Sequence, residues 1–319
     1  MIDTPTQPIQ PQALLSTTRA VNINQSTHNF HLFNSTRLST LHSSSSFSVS
    51  AHNVNSFCQP HKQFGFKQAV LHKHLDFAAI IDTRLKTSAT RSVSSLLPGY
   101  RSFWAPLTSR TGHGGIGLFV NHPYSQFVQS LHTWRDLMLS VDLYMPGRKL
   151  RLIIVYCPPC STSNNPIRQE LLVELSKWIS LSDREYYITG DFNTNADKFR
   201  DIITSCATIP THYALLNKFA SSSMVEIFPE FDSHRIPTFT RKAADSRNVL
   251  ALSRIDSIWI SQSLHVDILH TETWDTGNFY SSDHSMVIAW LAKSHLFSSL
   301  FPAVINNTEG KSIPSLCPR

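Results

Sequence analysis

Charged residues are scarce in this chain of 319 amino acids: Asp, Glu, Lys and Arg make up 16% of it, against about 25% in ordinary soluble domains. Apolar residues make up 41%, enough to bury a core. These figures argue against a coiled coil and against a chain that is disordered throughout. The 28 basic residues exceed the 22 acidic ones, a mild surplus that permits a polyanionic partner without requiring one.

Membrane and secretion signals are also missing. No apolar run reaches the 18 or so residues that a membrane span needs, and the N-terminus has no apolar segment of the secretory kind. The five cysteines are odd in number and scattered (Cys58, Cys157, Cys160, Cys206 and Cys317). This usage argues against a disulfide framework and favours a reducing, intracellular compartment. We therefore expect no membrane partner.

The first 46 residues differ in composition from the rest. Residues 1–50 carry only three charges, Asp3, Arg19 and Arg37, and are rich in Ser, Thr, Gln, Asn and Pro. Such a segment buries too little apolar surface to offset its ordering entropy. The alternative is an organelle transit peptide, but such peptides are rich in arginine and this segment has only two. We predict a disordered tail over 1–46, a folded domain over 47–292 and a second tail over 293–319.

Short apolar runs alternate with a few helices along the predicted domain. Strands are predicted at 47–52, 76–81, 114–120, 137–143, 150–156, 186–189, 237–240, 255–260, 266–270 and 285–290. A helix is predicted at 62–75, and another from Asn165, where Asn-Pro is typical of a helix start and apolar residues recur at spacings of three and four. This order of elements predicts an α/β domain with two stacked sheets and helices outside them.

Polar clusters lie at or just after the ends of these predicted strands. They are Asn53, Asp82, Asp191 with Asn193, Asp256, and Asp283 with His284. A rigid sheet can hold such side chains in one crevice. Converging carboxylates repel one another unless a cation lies among them, and an oxygen-rich set suits Mg²⁺ or Mn²⁺. With amides to hold a phosphate and a histidine to donate to it, the set predicts metal-assisted phosphoester hydrolysis.

Each cluster taken alone has an ordinary structural explanation. An Asp after a strand is usually a turn or cap residue, and Gly190-Asp-Phe-Asn193 is by itself compatible with a turn. Cys157-Pro-Pro-Cys160 has zinc or redox spacing, but no second pair lies at a matching distance. Only the order of all the clusters along the chain points to a shared site.

In that order, the segments resemble the endonuclease/exonuclease/phosphatase superfamily, most of all the endonuclease domains of LINE-type retrotransposons. The matching segments, spread between about Phe47 and Leu291, are Ser50-Ala-His-Asn53-Val-Asn, Gly114-Gly-Ile-Gly-Leu-Phe-Val, Leu152-Ile-Ile-Val-Tyr156-Cys-Pro-Pro, Ile188-Thr-Gly-Asp191-Phe-Asn193, Arg254-Ile-Asp256-Ser-Ile-Trp-Ile-Ser and Ser281-Ser-Asp283-His284-Ser. The resemblance implies a deoxyribonuclease-like, four-layer α/β/β/α sandwich of two stacked mixed β-sheets. The site would lie at one edge of the paired sheets.

The resemblance also implies a role for each site residue. The implied catalytic residues are Asp191, Asn193, His284, Asp256 and Tyr156, the metal ligands are Asp82, Asp283 and Asn53, and the phosphate contacts are Asn53, Asn193 and Tyr156. By similarity, Asp191 activates the attacking water or protonates the leaving oxygen, and His284 stabilises the phosphorane while Asp256 orients its ring. The implied cofactor is Mg²⁺, with Mn²⁺ as the alternative, and the implied partner is DNA, cut to leave a 3′-hydroxyl and a 5′-phosphate.

Two positions depart from the family pattern. The family places a metal-binding Glu after its second strand, where this chain has Asp82, whose carboxylate lies about 1.5 Å closer to the backbone. Abasic-site endonucleases usually carry a Trp where this chain has Ser253, which argues against an abasic pocket.

We therefore expect a Mg²⁺-dependent, DNA-nicking endonuclease of retrotransposon origin, monomeric and intracellular, and nuclear if DNA is its substrate. Two alternatives stay open. One is a phosphatase-type relative with the same fold that acts on another phosphoester. The other is a catalytically weakened remnant that still binds nucleic acid, which the Asp at position 82 favours.

Overall fold

The computed structural model describes residues 45–109, 112–227, 239–244 and 250–296. Most of the tails predicted at 1–46 and 293–319 lies outside these residues. Within the described ranges, none of the helices has the length and apolar character needed to cross a membrane.

Strands and helices alternate along the described residues. The strands are β1 (Ser46–Asn53), β2 (Phe77–Ile81), β3 (Tyr100–Ala105), β4 (Ile116–Asn121), β5 (Val128–Trp134), β6 (Met138–Tyr144), β7 (Lys149–Tyr156), β8 (Glu185–Asp191), β9 (Met224–Glu226), β10 (Arg241–Ala244), β11 (Leu250–Ser253), β12 (Asp256–Ser261), β13 (Ile268–Trp274) and β14 (Met286–Ala292). The helices are α1 (Pro60–Lys73), α2 (Thr87–Val93), α3 (His122–Ser125), α4 (Asn165–Trp178), α5 (Ala196–Thr204), α6 (Ala214–Ser221) and α7 (Lys293–Leu296), with 3₁₀ turns at Thr211–Tyr213 and Gln262–Asp267.

The strands form two six-stranded sheets and a small ribbon. The first sheet has the order β13-β14-β1-β2-β4-β3, the second has the order β5-β6-β7-β8-β12-β9, and β10 pairs with β11. Both large sheets are mixed, because β1 runs parallel to β2 and β7 runs parallel to β8 while their other pairings are antiparallel. The predicted α/β sandwich of two mixed sheets is confirmed.

Strand β2 shows why both faces of a sheet are covered. Phe77, Ala79 and Ile81 belong to the core that also contains residues of the second sheet. Ala78 and Ile80 point the other way and pack in the cluster that contains the buried face of α1. Successive side chains of a strand alternate between faces, so a strand that is apolar throughout requires cover on both sides.

The crossover from β7 to β8 follows the same logic in the second sheet. Parallel neighbours need a long connection, and α4 provides it. Its buried residues are Leu171, Leu175 and Trp178, spaced as one face of a helix requires. Tyr187 of β8 points towards the first sheet, since its hydroxyl lies 3.5 Å from the Val49 carbonyl oxygen.

Most predicted elements overlap observed ones, with a few differences. The strand predicted at 237–240 falls partly outside the described residues, and the strand in that region begins at Arg241. Strands β3, β5, β9 and β11 and helices α2, α3, α5, α6 and α7 were not predicted. The described cysteines, Cys58, Cys157, Cys160 and Cys206, are free thiols.

Candidate active site

Strand register brings three of the predicted residues side by side in the second sheet. Tyr156 ends β7, Asp191 ends β8 and Asp256 begins β12. The parallel β7–β8 pairing places Tyr156 beside Asp191, and the antiparallel β8–β12 pairing places Asp191 beside Asp256. The site is therefore built on rigid strand ends.

The first sheet contributes Asn53, which ends β1. Its side-chain amide donates a hydrogen bond of 2.8 Å to Asp191 Oδ2, and its Oδ1 accepts one of 2.9 Å from the Asn55 backbone N–H. Both Asn53 and Asp191 are buried. This bond ties the two sheets together at the site.

Gly190 lets β8 approach β7 closely enough to position Asp191. A Cβ added at Gly190 would lie 1.9 Å from the Val155 carbonyl oxygen, and its φ is +153°. A side chain there would collide with backbone that cannot move without moving the sheet. The Gly-Asp order read from the sequence is thus explained by strand packing.

Asn193 holds the Asp191 carboxylate from the other side. Its backbone N–H donates to Asp191 Oδ1 at 2.8 Å, and its side-chain amide donates to the Cys157 carbonyl oxygen at 2.8 Å and to Asp191 Oδ2 at 3.2 Å. The carboxylate is therefore fixed in orientation by two asparagines. Cys157 contributes a backbone oxygen here.

A histidine–carboxylate pair faces Asp191. His284 Nδ1 donates to Asp256 Oδ2 at 2.8 Å, and His284 Nε2 lies 4.0 Å from Asp191 Oδ2. Burial disfavours the imidazolium, but Asp256 and then Asp191 outweigh it and raise the pKa of His284 to about 9. Burial, followed by the nearby Asp256 charge, raises the pKa of Asp191. The two sheets thus present a cationic donor next to a carboxyl group that readily takes up a proton.

Tyr156 completes this group as a neutral phenol. Burial, reinforced by the charges of Asp82 and then Asp191, raises its pKa well above its usual range. Tyr156 therefore stays protonated at neutral pH and offers an O–H donor beside the two carboxylates.

Asp82 lies just after β2 and makes a different set of contacts. Its Oδ1 accepts from the Gly114 backbone N–H at 2.7 Å, and its Oδ2 accepts from Arg84 Nε at 3.1 Å and from Arg84 Nη2 at 2.8 Å. Arg84 Nη2 also donates to Asn55 Oδ1 at 2.6 Å. The Asn55 amide in turn donates to Asp283 Oδ1 at 3.2 Å, so a chain of polar contacts joins the two acidic residues.

Several residues of the site were missed from the sequence. Arg84 follows β2 in a loop, Asn55 follows β1, and Arg241, whose Nε lies 3.3 Å from Asp283 Oδ2, begins β10; none of the three was singled out as a site residue. His52 was also missed: its Nε2 lies 3.0 Å from the His284 carbonyl oxygen and its Nδ1 lies 2.5 Å from the Tyr280 hydroxyl. Because a carbonyl only accepts, Nε2 carries the proton and Nδ1 accepts from Tyr280. Burial lowers the pKa of His52 to about 4, so it is neutral.

Backbone conformation also marks this edge of the molecule. Among the described residues, those other than glycine with positive φ are Asn55, Ser56, His74, Asp82, Arg84, Arg135, Asn193, Cys206 and Ser223. Five of these nine belong to the loops that carry the site. Such conformations persist where surrounding contacts enforce them, and they concentrate at functional sites.

The ligand atoms that the site offers can be compared with those that a divalent metal ion prefers. In the described residues, one group of three His, Cys, Asp or Glu side chains has its ligand atoms within 4.8 Å of one another: Asp191, Asp256 and His284. His284 is a poor ligand there, because a doubly protonated imidazole has no free lone pair. Asp82, Asp283 and Asn53 supply only oxygen, which fits a hard cation such as Mg²⁺ or Mn²⁺. However, one of these oxygens, Asp82 Oδ2, already accepts hydrogen bonds from Arg84.

All eight predicted site residues thus lie at strand ends or in the adjoining loops at one edge of the paired sheets. The structure divides them into two groups. Asn53, Asp191, Asn193, Asp256 and His284 form one hydrogen-bonded and charge-coupled set, with Tyr156 beside it. Asp82 and Asp283 form the other, linked through Arg84 and Asn55.

No protein-family model matches this chain, and no curated protein does. Its fold is similar to those of several solved structures. The catalytic domain of Xenopus laevis APE2 is 17% identical over 77% of this chain and 93% of that one, with a TM-score of 0.62. The AP endonuclease LMAP from Leishmania major is 12% identical over 80% and 90%, with a TM-score of 0.64. The endonuclease domain of TRAS1, a telomere-specific non-LTR retrotransposon, is 11% identical over 77% and 98%, with a TM-score of 0.54.

At these identities the likeness concerns the fold. This chain has the α/β sandwich of nuclease catalytic domains and covers at least nine tenths of each of the three. The resemblance to the endonuclease/exonuclease/phosphatase superfamily, and to retrotransposon endonuclease domains within it, is confirmed at the level of the fold.

Proposed function

We propose that this protein is a divalent-metal-dependent phosphodiester hydrolase that nicks DNA, of the retrotransposon endonuclease type. The observation that carries the proposal is the convergence of Asp191, Asp256 and His284, all buried and within 4.8 Å of one another. Catalytic groups with shifted pKa values that meet at a strand edge are typical of a hydrolytic site. A nuclease-type fold makes a phosphodiester the favoured substrate class.

The proton chemistry follows from the contacts of these residues. Asp191, whose pKa is raised, accepts a proton from the attacking water as the water oxygen bonds to phosphorus. The bond from phosphorus to the leaving 3′ oxygen breaks, and that oxygen takes up a proton to become the 3′-hydroxyl. Cationic His284 then donates a hydrogen bond to a phosphoryl oxygen as negative charge develops on it, and Asp256 balances the imidazolium. Asn53 and Asn193 fix the Asp191 carboxylate, which limits it to one orientation towards the phosphate.

In this proposal Asp82, Asp283 and Asn53 would hold a divalent ion. When bound, the ion would neutralise charge on the phosphate and its leaving oxygen. The protonated Tyr156 hydroxyl would donate to the same phosphate, since it lies near both Asp82 and Asp191.

DNA is the proposed substrate because positive side chains border the acidic site. Arg241 has a side chain that is 41% exposed, and Arg84 is partly exposed next to His113, whose Nδ1 lies 3.1 Å from Arg84 Nη2. Phosphate contacts of this kind provide much of the affinity for DNA. Ser253, at the position where abasic-site enzymes carry a Trp, favours the retrotransposon type over the abasic-site type. Intracellular action as a monomer, in the nucleus, belongs to the same proposal.

Incubation of the full chain with supercoiled plasmid and a series of Mg²⁺ and Mn²⁺ concentrations tests the function. We expect open circles to accumulate with wild type and not with Asp191→Ala or His284→Ala. Asp183→Asn is the matched control, because Asp183 is an exposed carboxylate paired with Lys149 near the start of β7, and it should nick like wild type. Folded wild-type protein that leaves the plasmid supercoiled at every metal concentration would falsify the proposal.

The contact of Arg84 with Asp82 favours a second candidate, a weakened nuclease that still binds nucleic acid. Asp82→Glu separates the two, since a longer carboxylate should raise nicking if the site is only weakened. If wild type and Asp82→Glu both fail to nick but bind DNA with salt-dependent affinity, the binding function is supported. Release of phosphate from soluble phosphoesters without nicking would instead support a phosphatase-type activity.

A further inference from the structure

Arg84 places a positive charge directly beside the buried Asp82 carboxylate. Its Nε and Nη2 both reach Asp82 Oδ2, and the same Nη2 reaches Asn55 Oδ1. The Asp82 side chain is 4% exposed, whereas that of Arg84 is 28% exposed. The guanidinium is thus the more exposed partner of a buried carboxylate, and it occupies one oxygen of that carboxylate.

The backbone around Arg84 fixes this arrangement. The Thr83 and Arg84 N–H groups donate to the Gly115 and Gly114 carbonyl oxygens at 3.0 and 2.9 Å, and the Gly114 N–H donates back to Asp82 Oδ1. Asp82 and Arg84 both have positive φ, at 52° and 58°. Residues other than glycine keep this conformation only where surrounding contacts enforce it, and here the hydrogen bonds to Gly114 and Gly115 do so.

The charge around Asp82 and Asp283 is balanced by the chain. Arg241 contacts Asp283, and Lys62 donates to the backbone oxygens of Val54 and Asn55 at 2.9 and 3.0 Å, next to the same loop. Each of the two carboxylates therefore pairs with an arginine, Asp82 with Arg84 and Asp283 with Arg241, and Lys62 lies close to the same loop. The sequence predicted a metal ion because converging carboxylates repel one another. At Asp82 and Asp283 the two arginines already reduce that repulsion.

We propose that Arg84 is the resident cation of Asp82 and that it competes with the divalent ion, so that Arg84 sets the metal affinity of this site. A divalent ion that binds Asp82 must displace the guanidinium from Oδ2 or share the carboxylate with it, and the like charges oppose sharing. This inference rests on the proposed function in one respect: it takes Asp82 as a ligand of the ion.

Binding of Mn²⁺ to the full chain in the absence of DNA tests the proposal directly. Electron paramagnetic resonance of free Mn²⁺ gives the dissociation constant for wild type and for Arg84→Gln. We expect Arg84→Gln to bind about tenfold more tightly, equal to about 1.4 kcal/mol. Asp82→Asn in the Arg84→Gln background should abolish the gain, because the gain requires the Asp82 carboxylate.

Two matched variants control for charge. Arg101→Gln removes the same charge from an exposed residue of β3. Arg101 pairs with Val120 of β4, four residues from Ile116, the residue of β4 that pairs with Ile81 next to Asp82. The Mn²⁺ affinity of Arg101→Gln should stay within about twofold of wild type, because surface charges at such distances are screened by salt. Arg84→Lys keeps the charge and should also stay close to wild type. A gain in Arg101→Gln equal to that in Arg84→Gln would show a general charge effect and overturn the proposal.

A magnesium titration followed by nuclear magnetic resonance tests the proposal on the wild-type protein, so its result does not depend on whether a variant folds. The Nε–H resonance of Arg84 should shift during a Mg²⁺ titration as the bond to Asp82 is released, while that of Arg101 should not. Binding of Mg²⁺ that leaves the Arg84 resonance unmoved, or an Arg84→Gln affinity no tighter than wild type, contradicts the proposal. The plasmid assay is read separately: nicking without these effects refutes only the role of Arg84, and these effects without nicking refute only the proposed function.

Discussion

At the scale of single residues, the charge of Asp256 decides whether His284 can act as a cationic donor. The carboxylate lies 2.8 Å from His284 Nδ1 and both groups are buried. An amide of the same shape would keep a hydrogen-bond acceptor but not the negative charge that stabilises the imidazolium.

We therefore predict that Asp256→Asn slows nicking by about 100-fold without a large change in melting temperature. Single-turnover nicking at saturating Mg²⁺ measures the rate, and circular dichroism measures the melting. Asp183→Asn serves again as the control with an equal change of charge. An Asp256→Asn rate equal to wild type would mean that the His284 charge plays no part in the reaction.

The residue scale also shows what sequence reasoning could reach. Asp191, Asn193, Asp283 and His284 stand in distinctive segments, so a resemblance could identify them. Arg84, Asn55 and His52 act through contacts that depend on positive-φ loops and on the segment 280–284, which precedes β14. No periodicity or short motif encodes such contacts, so these residues could be found only in the folded chain.

At the scale of elements, the approach of β8 to β7 depends on Gly190. We predict that Gly190→Ala lowers the free energy of unfolding by about 3 kcal/mol and abolishes nicking, since its Cβ would collide with the Val155 carbonyl and displace Asp191. Chemical denaturation and the plasmid assay measure the two effects. Gly99→Ala is a matched control for positive φ, because no atom lies within 4 Å of its added Cβ. It should keep nicking intact, and equal losses in both variants would contradict the packing argument.

A buried ion pair ties β6 to β7 away from the site. Asp142 accepts from Arg151 at 2.6 and 2.9 Å, from Ser130 at 2.7 Å and from Arg184 at 2.9 Å. Burial alone would raise the pKa of Asp142, but the hydrogen bonds and charges of Arg151, Ser130 and Arg184 hold it well below its usual range. The folded protein therefore binds fewer protons here than the unfolded chain does.

The sign of the pH effect follows from this depressed pKa. The contribution of Asp142 to stability is complete above the unfolded-state pKa of about 4 and is lost as the pH falls below it. We predict that Asp142→Asn lowers the free energy of unfolding at pH 7 by about 3 kcal/mol, because it leaves Arg151 buried without its partner. Urea denaturation at pH 7 and pH 3 measures this, and the difference between wild type and Asp142→Asn should shrink at pH 3. A difference that stays constant with pH would contradict this account.

The burial and the length of each element explain whether it could be predicted from the sequence. Strands β2, β7 and β8 are buried on both faces, so their continuous apolar runs were visible in the sequence. Strand β5 is largely exposed at the edge of its sheet and carries polar residues, so its sequence reads as a loop. Helix α5 was missed although it is amphipathic, because a nine-residue helix offers few repeats of its apolar spacing.

At the scale of the whole molecule, the site exists only where the two sheets meet. Asn53 and the segment 283–285 that leads into β14 come from the first sheet, whereas Asp191 and Asp256 come from the second. The proposed chemistry therefore requires the complete sandwich, and the order of these residues along the chain says little about their proximity. The resemblance to a known fold, more than any local pattern, allowed the convergence to be predicted.

A double-mutant cycle of nicking rates tests this convergence most directly. Wild type, Asp191→Asn, His284→Gln and the double variant are compared at saturating Mg²⁺, with melting temperatures to confirm folding. If the two residues serve one step across the sheet interface, the double variant should be no slower than the slower single variant. Losses that multiply in the double variant would show that Asp191 and His284 act independently, and the account of a single shared site would be wrong.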